Sequence, residues 1–145
     1  MTAKERLQLQ GTAVAIAGRG VLLRGPSGAG KSTLALRLIE EGATLIADDL
    51  CELRRRGGRL MIDLPAVVDP AFRGAIEGRD QGIQKVAYAG AAPLVVIVDL
   101  ARDGAGPAST VQLLLGLSIP RAVLDPFQPA ATRVVREMAL RHPVD

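Results

Sequence analysis

Aromatic side chains are nearly missing from this sequence: of 145 residues none is Trp, one is Tyr and two are Phe. That excludes an aromatic platform for stacking single-stranded nucleic acid. With apolar residues at 48%, the core must be assembled from Val, Leu, Ile and Ala, the composition of buried α/β sheets. Cys51 is the one cysteine, so no internal disulfide can form, a reducing compartment is the natural setting, and a buried, inert thiol is expected. His142 is the one histidine. No His/Cys metal cluster and no Ser-His-Asp hydrolase can be built around it, and a place near a helix end, exposed or touching the dipole, is expected. No apolar run reaches the roughly 20 residues that cross a bilayer, and the opening MTAKERLQLQ lacks the apolar stretch of a signal peptide. The expectation is a cytoplasmic protein with no membrane partner. Charge is nearly balanced, 18 Lys and Arg against 15 Asp and Glu, too small a surplus to imply nucleic-acid binding without a basic stripe. The one basic cluster, Arg54, Arg55, Arg56 and Arg59, brackets Gly57-Gly58 and reads as a solvated hairpin tip, with docking of an anionic partner as the alternative.

What is present is a chain of a length suited to one domain, residues 1–145 with a core at about 8–142. Leu7 to Ala17 alternates loosely, Gly18-Arg19-Gly20 supplies a turn and Val21-Leu22-Leu23 follows, a hairpin leading into a central strand. Lys31 to Glu41 places Leu34, Ala35, Leu38 and Ile39 on one helical face, with Gly42 positioned to end the helix. Thr44 to Ala47 is a short buried strand. Leu50 to Leu53 and Arg59 to Ile62 form strands across the Gly57-Gly58 turn. Leu64 to Gly74, with Pro65 and Pro70, reads as a surface loop. Leu94 to Leu100 is the clearest later strand, broken by Asp103 to Pro107. A weak strand pattern runs from Val111 to Leu124, and a last helix from about Ala130 to Arg141. One early βαβ-like unit with several hairpins predicts an α/β domain with a mixed sheet.

Between strand and helix stands Gly25-Pro26-Ser27-Gly28-Ala29-Gly30-Lys31-Ser32, a complete G-x-x-x-x-G-K-[ST] P-loop. Holding a polyphosphate requires several backbone N–H groups to point inward together, which glycines permit, and the helix that follows adds its positive end. Lys31 is expected to reach the β- and γ-phosphates, Ser32 to ligate Mg²⁺, and Thr33 to complete the binding stretch. Asp48 and Asp49 close the next strand. In a parallel arrangement they finish at the same edge as the loop, where one could hold Mg²⁺ and the other act as general base. Asp99 also ends a strand and is a rival metal partner or cap.

These residues bring a resemblance with them. Gly18 to Asp49, through the runs GRGVLLRGPSGAGKS, LALRLI and ATLIADD, resembles the catalytic core of HPr kinase/phosphorylase. Ile76 to Ile83 is similar to that family's second signature, and the region of Ile119-Pro120 with the last helix to its C-terminal segment. The resemblance covers about residues 8 to 142 and implies a short form, without the separate N-terminal domain many members carry. It implies a phosphoenolpyruvate carboxykinase-like fold and transfer of a phosphoryl group from ATP with Mg²⁺ to a serine of the phosphocarrier HPr, with a reverse phosphorolysis, in a hexamer. It further implies that Ser27 helps bind phosphate, that Asp48 and Asp49 supply metal ligand and base, and that Glu77, as a metal ligand, and Arg79, on a phosphate oxygen, complete the site. Two departures stand out. Gln10 occupies the place of a histidine before the P-loop and cannot take up a proton, and Asp80-Gln81 replaces a Gly-Leu pair in the second signature.

Two other classes of function compete. A small-metabolite kinase of the gluconate or shikimate kinase kind also begins with a P-loop, but usually starts at the P-loop strand and carries an arginine-bearing lid. A nucleotide-sensing regulator without catalysis is suggested by Gln10 and Asp80-Gln81.

Overall fold

The computed structural model describes residues 5–26, 28–78, 82–102 and 105–143. The first apolar run is two strands, not one. β1 (Arg6–Gln10) ends at Gly11, and β2 (Thr12–Ile16) turns at Ala17-Gly18, with φ of 49° and 80°, into β3 (Arg19–Arg24). Two successive positive φ values are the hairpin geometry that matches strand twist. Gly20, expected in the turn, lies inside β3 opposite Ala15. After the P-loop comes α1 (Lys31–Glu40), with Gly42 at φ 110° just past its end. Then follow β4 (Thr44–Ala47), β5 (Leu50–Arg56), β6 (Arg59–Asp63), a 3-10 turn at Pro70–Phe72, β7 (Ala75–Gly78), β8 (Gly82–Lys85) and β9 (Ala92–Leu100). β10 (Ala105–Leu114), β11 (Leu117–Leu124) and α2 (Ala131–Leu140) complete the chain.

The weak pattern expected at 111–124 is thus a hairpin, folded at Leu115-Gly116 with φ of 50° and 84°. The break expected at 103–107 is shorter, because β10 already begins at Ala105, with a register shift between Gly106 and Thr110. The 64–74 segment is mostly exposed, but Leu64, Pro65 and Gly74 are buried. β7 and β8 pair in a separate two-stranded ribbon that no periodicity announced.

Strands run in the order β1-β5-β6-β9-β3-β2-β4, and the β10–β11 hairpin joins through β11 to β9. β9 is the spine: its start pairs antiparallel with β6, its end parallel with β11, and its other edge parallel with β3. A mixed, curled sheet results, as the sequence led one to expect. One face, with Val14, Val21, Leu23, Val96 and Val98, packs on Leu34 and Leu38 of α1 and Val135 of α2. The other, with Ala13, Ala15, Leu22 and Ile97, is covered by Cys51, Leu53, Leu60 and Ile62 from β5 and β6. Every residue of β2 is buried, which is why its sequence TAVAI is continuous rather than alternating.

β4 is not the neighbour of β3. It pairs antiparallel with β2, which pairs antiparallel with β3. Two reversals restore the direction, so β3 and β4 still end at the same edge, and the P-loop and Asp48-Asp49 emerge side by side.

Candidate phosphate-binding site

At that edge lies an open cleft of about 490 Å³. The phosphate-loop residues Gly25, Pro26, Gly28, Gly30, Lys31, Ser32 and Thr33 form one wall, and Asp48, Asp49, Glu77, Gly78, Gln10 and Thr12 the other. Ser27 and Arg79 lie outside the described residues. Ala29 stands behind the loop, its Cβ 2.9 Å from where a side chain on Gly25 would begin.

Among the described loop residues, two glycines take the positive φ that a side chain would resist. Gly28 (φ 84°) faces open space, and Gly30 (φ 99°) leads into α1. No side chain caps α1 and no acid stands in its first turn, and Gly30 to Thr33, where a helix leaves its amides unpaired, line the cleft. Lys31 folds back, its Nζ donating to the carbonyl oxygens of Gly25 and of Pro26.

The two carboxylates are held differently. Asp48 accepts the Thr12 hydroxyl on Oδ1 at 2.9 Å and the Glu77 amide on Oδ2 at 3.0 Å. One side chain thus joins β2, β4 and β7. Asp49 is exposed and has φ 71°, and around it the Leu50 amide donates to the Asp48 carbonyl at 2.8 Å. A three-residue turn with positive φ at its centre is the strained form for any residue but glycine. The Gly11 amide donates to the Asp49 carbonyl at 3.0 Å and holds the turn in place.

The donor set suits a magnesium ion bound with a nucleotide. Ser32, Asp48 and Glu77 offer hard oxygens to one cleft, while among the described residues no three His, Cys, Asp or Glu side chains converge as a metal site by themselves. Mg²⁺ commonly takes one or two carboxylates and completes its shell with phosphate oxygens and water.

The rival Asp99 is committed elsewhere. Arg24 donates to both its oxygens, at 2.7 and 2.9 Å, and Arg121 to Oδ2 at 2.5 Å. Burial alone would raise the Asp99 carboxyl; the two guanidinium groups reverse this and hold it below the usual carboxylate range. The pair fixes Arg24, the residue just before the P-loop, to β9. Cys51 is fully buried and its thiol is pushed up to about 12, by burial first and then by the negative charge of Asp48. It is inert at neutral pH, as expected. His142 lies beyond α2, and its carbonyl accepts from Arg19 at 2.6 Å. Arg54 pairs with Glu52, Arg55 reaches the carbonyls of Gly57 and Leu115, and Arg56 and Arg59 are exposed, the hairpin tip read from the sequence.

Thr12 was not singled out from the sequence. The signal was there: one hydroxyl in an otherwise apolar strand, 1% exposed, needs a partner.

Comparison with known proteins agrees with this geometry. The family profile described as the HPr serine kinase C-terminal domain matches residues 2–89. Among curated relatives, HPr kinase/phosphorylase of Chlorobium limicola is 50% identical over 56 residues, covering 39% of this chain and 17% of that protein. The Caldicellulosiruptor bescii protein of the same name is 39% identical over 82 residues, covering 56% of this chain and 25% of that protein. The chain therefore aligns with a quarter or less of these relatives' length. The solved HPr(Ser) kinase/phosphatase from Coxiella burnetii superposes with a TM-score of 0.77 at 22% identity, over 93% of this chain and 97% of that one, a likeness of fold.

Proposed function

The chain belongs to the family of HPr serine kinase C-terminal domains, and on that premise we propose that it is an ATP-dependent phosphotransferase acting on a serine of the phosphocarrier HPr. One observation carries the reading: Asp48, Asp49 and Glu77 line the same cleft as the P-loop, so acid, base and phosphate-holding groups converge on one place.

In this reading the loop amides and Lys31 hold the β- and γ-phosphates. Ser32, Asp48 and Glu77 would hold Mg²⁺, which would offset charge on the phosphate oxygens. Asp49, the exposed acid, accepts the proton of the incoming serine hydroxyl as its oxygen bonds to the γ-phosphorus and the bond to the β-γ bridging oxygen breaks, leaving ADP. Asp48, with both oxygens engaged, serves as ligand and not as base. Ser27 and Thr33 add phosphate contacts, and Arg79 binds a phosphate oxygen through its planar fork. Residues 1–145 act as one P-loop kinase domain, cytoplasmic, in a hexamer by family likeness. Phosphorolysis is the less supported direction, because Asp80-Gln81 brings a negative charge to the second signature.

A second reading draws on Gln10, which lines the cleft and cannot exchange a proton at neutral pH: a regulator that binds nucleotide without transferring phosphate. Incubation with γ-labelled ATP, Mg²⁺ and HPr separates the two. Label on an HPr serine supports the kinase; binding of ATP without label on HPr overturns it in favour of the regulator, and transfer only to a small polyol or acid overturns both.

A further inference from the structure

The P-loop has a second flank, away from the acids. β3, β9 and β11 run parallel, so their C-terminal ends lie along one edge with that of β4. In order along it stand the turn after β11, Arg102 after β9, the P-loop after β3, and, beyond β2, Asp48-Asp49. A nucleotide held with its terminal phosphate toward Asp48 and Asp49 must carry its nucleoside the other way, toward β9 and β11.

That flank holds Phe127, one of the chain's two phenylalanines. A side chain on Gly30 would begin 2.9 Å from Pro126 Cγ and 3.1 Å from Phe127 Cζ, so the ring lies directly beside the phosphate cradle. It is 38% exposed, and the Arg102 guanidinium sits over it at 4.9 Å from the ring centre. The turn that presents it is fastened. The Phe127 amide donates to Asp125 Oδ1 at 2.9 Å. Arg37 of α1 donates to the carbonyls of Pro126 at 2.9 Å and Pro129 at 3.1 Å, tying turn and P-loop helix together. A chain so poor in aromatics has put one, partly solvated and paired with a planar cation, where a nucleotide's organic end would lie.

We infer that Phe127 and Arg102 form the nucleobase shelf of the site, the base stacking against the ring and the guanidinium. The inference rests on the nucleotide-binding reading above and assigns to this flank the task of telling a nucleoside triphosphate from bare polyphosphate. Stacking on an aromatic ring suits any base, so the shelf confers preference for a nucleotide without strong choice among bases.

Calorimetric titration of the full chain with ATP and with tripolyphosphate tests this. The wild type should bind ATP about tenfold more tightly than tripolyphosphate, in line with one stacked base. Phe127→Leu, which keeps an apolar contact on Gly30, should lose that preference with its tripolyphosphate affinity unchanged. Phe127→Trp should retain it and, in a chain with no other Trp, show fluorescence quenched by ATP but not by tripolyphosphate. Equal weakening of both ligands by Phe127→Leu would reduce Phe127 to a prop for the loop and overturn the shelf. So would wild-type binding of tripolyphosphate as tight as that of ATP, with phosphate binding left standing. Binding of neither ligand by the wild type would overturn the nucleotide-binding reading and the shelf with it.

Discussion

The Thr12 hydroxyl donates to Asp48 Oδ1 at 2.9 Å across the strand pair β2–β4. It sets the direction of a carboxylate whose other oxygen is occupied by the Glu77 amide. Replacing Thr12 by Val keeps the shape and removes the donor. If Asp48 holds the metal as proposed, loss of its supporting bond should cost roughly 10–100-fold in activity or metal affinity, while stability should fall by only about 1 kcal/mol. Phosphate transfer measured against Mg²⁺ concentration should show a raised requirement in Thr12→Val and a near-normal one in Thr12→Ser. Identical curves for all three proteins would deny Thr12 its role.

Asp49 separates strain from chemistry. Its φ of 71° costs a non-glycine residue about 1 kcal/mol or more. Asp49→Gly should therefore melt higher than the wild type while losing transfer. Asp49→Asn keeps the strain and should lose transfer with ATP affinity largely intact. Undiminished transfer in Asp49→Asn would remove it as the base.

Lys31 makes its contacts to the carbonyls of Gly25 and Pro26, and its removal should leave the fold's circular dichroism unchanged. Lys31→Ala should nevertheless abolish ATP binding detectable by calorimetry, and an unaltered affinity would refute its assignment to the phosphates.

Asp99 gives the fold an acid limit. Its carboxyl is held below the ordinary range by Arg24 and Arg121, so the unfolded chain takes up this proton first as pH falls. The stabilisation is full above about pH 4, the usual carboxylate value, and is lost as pH drops through the lower folded value. Urea midpoints measured from pH 5 to pH 2 should decline less steeply in Asp99→Asn than in the wild type. Parallel declines would show that the carboxylate is not held down by its arginines.

How legible the site was in the sequence depended on contiguity. The P-loop could be read residue by residue because one unbroken stretch supplies both the turn and the helix start. Asp48 and Asp49 could be placed because a strand ends directly before them. Thr12 could not, because its partner lies across a strand pairing that nothing local announces, and the same pairing hides β2 between β3 and β4. The turn at Leu115-Gly116 was obscured by apolar residues on both sides, LLLGL, where turn chemistry usually brings polar ones. The β7–β8 ribbon is too short for a period to show.

The spine position of β9 bears on how the chain comes to fold. β3, from which the P-loop springs, has β2 as one neighbour almost at once, but its other neighbour is β9, with Gly20 meeting Leu94. During synthesis the P-loop strand therefore waits as an unpaired edge until residues beyond 92 have left the ribosome, and distant pairings of this kind form slowly. The stretch matched by the family profile, residues 2–89, ends before β9 begins. A fragment cut there would keep the cleft acids Asp48, Asp49 and Glu77 and every phosphate-loop residue, yet leave an apolar strand open to pairing with other copies of itself.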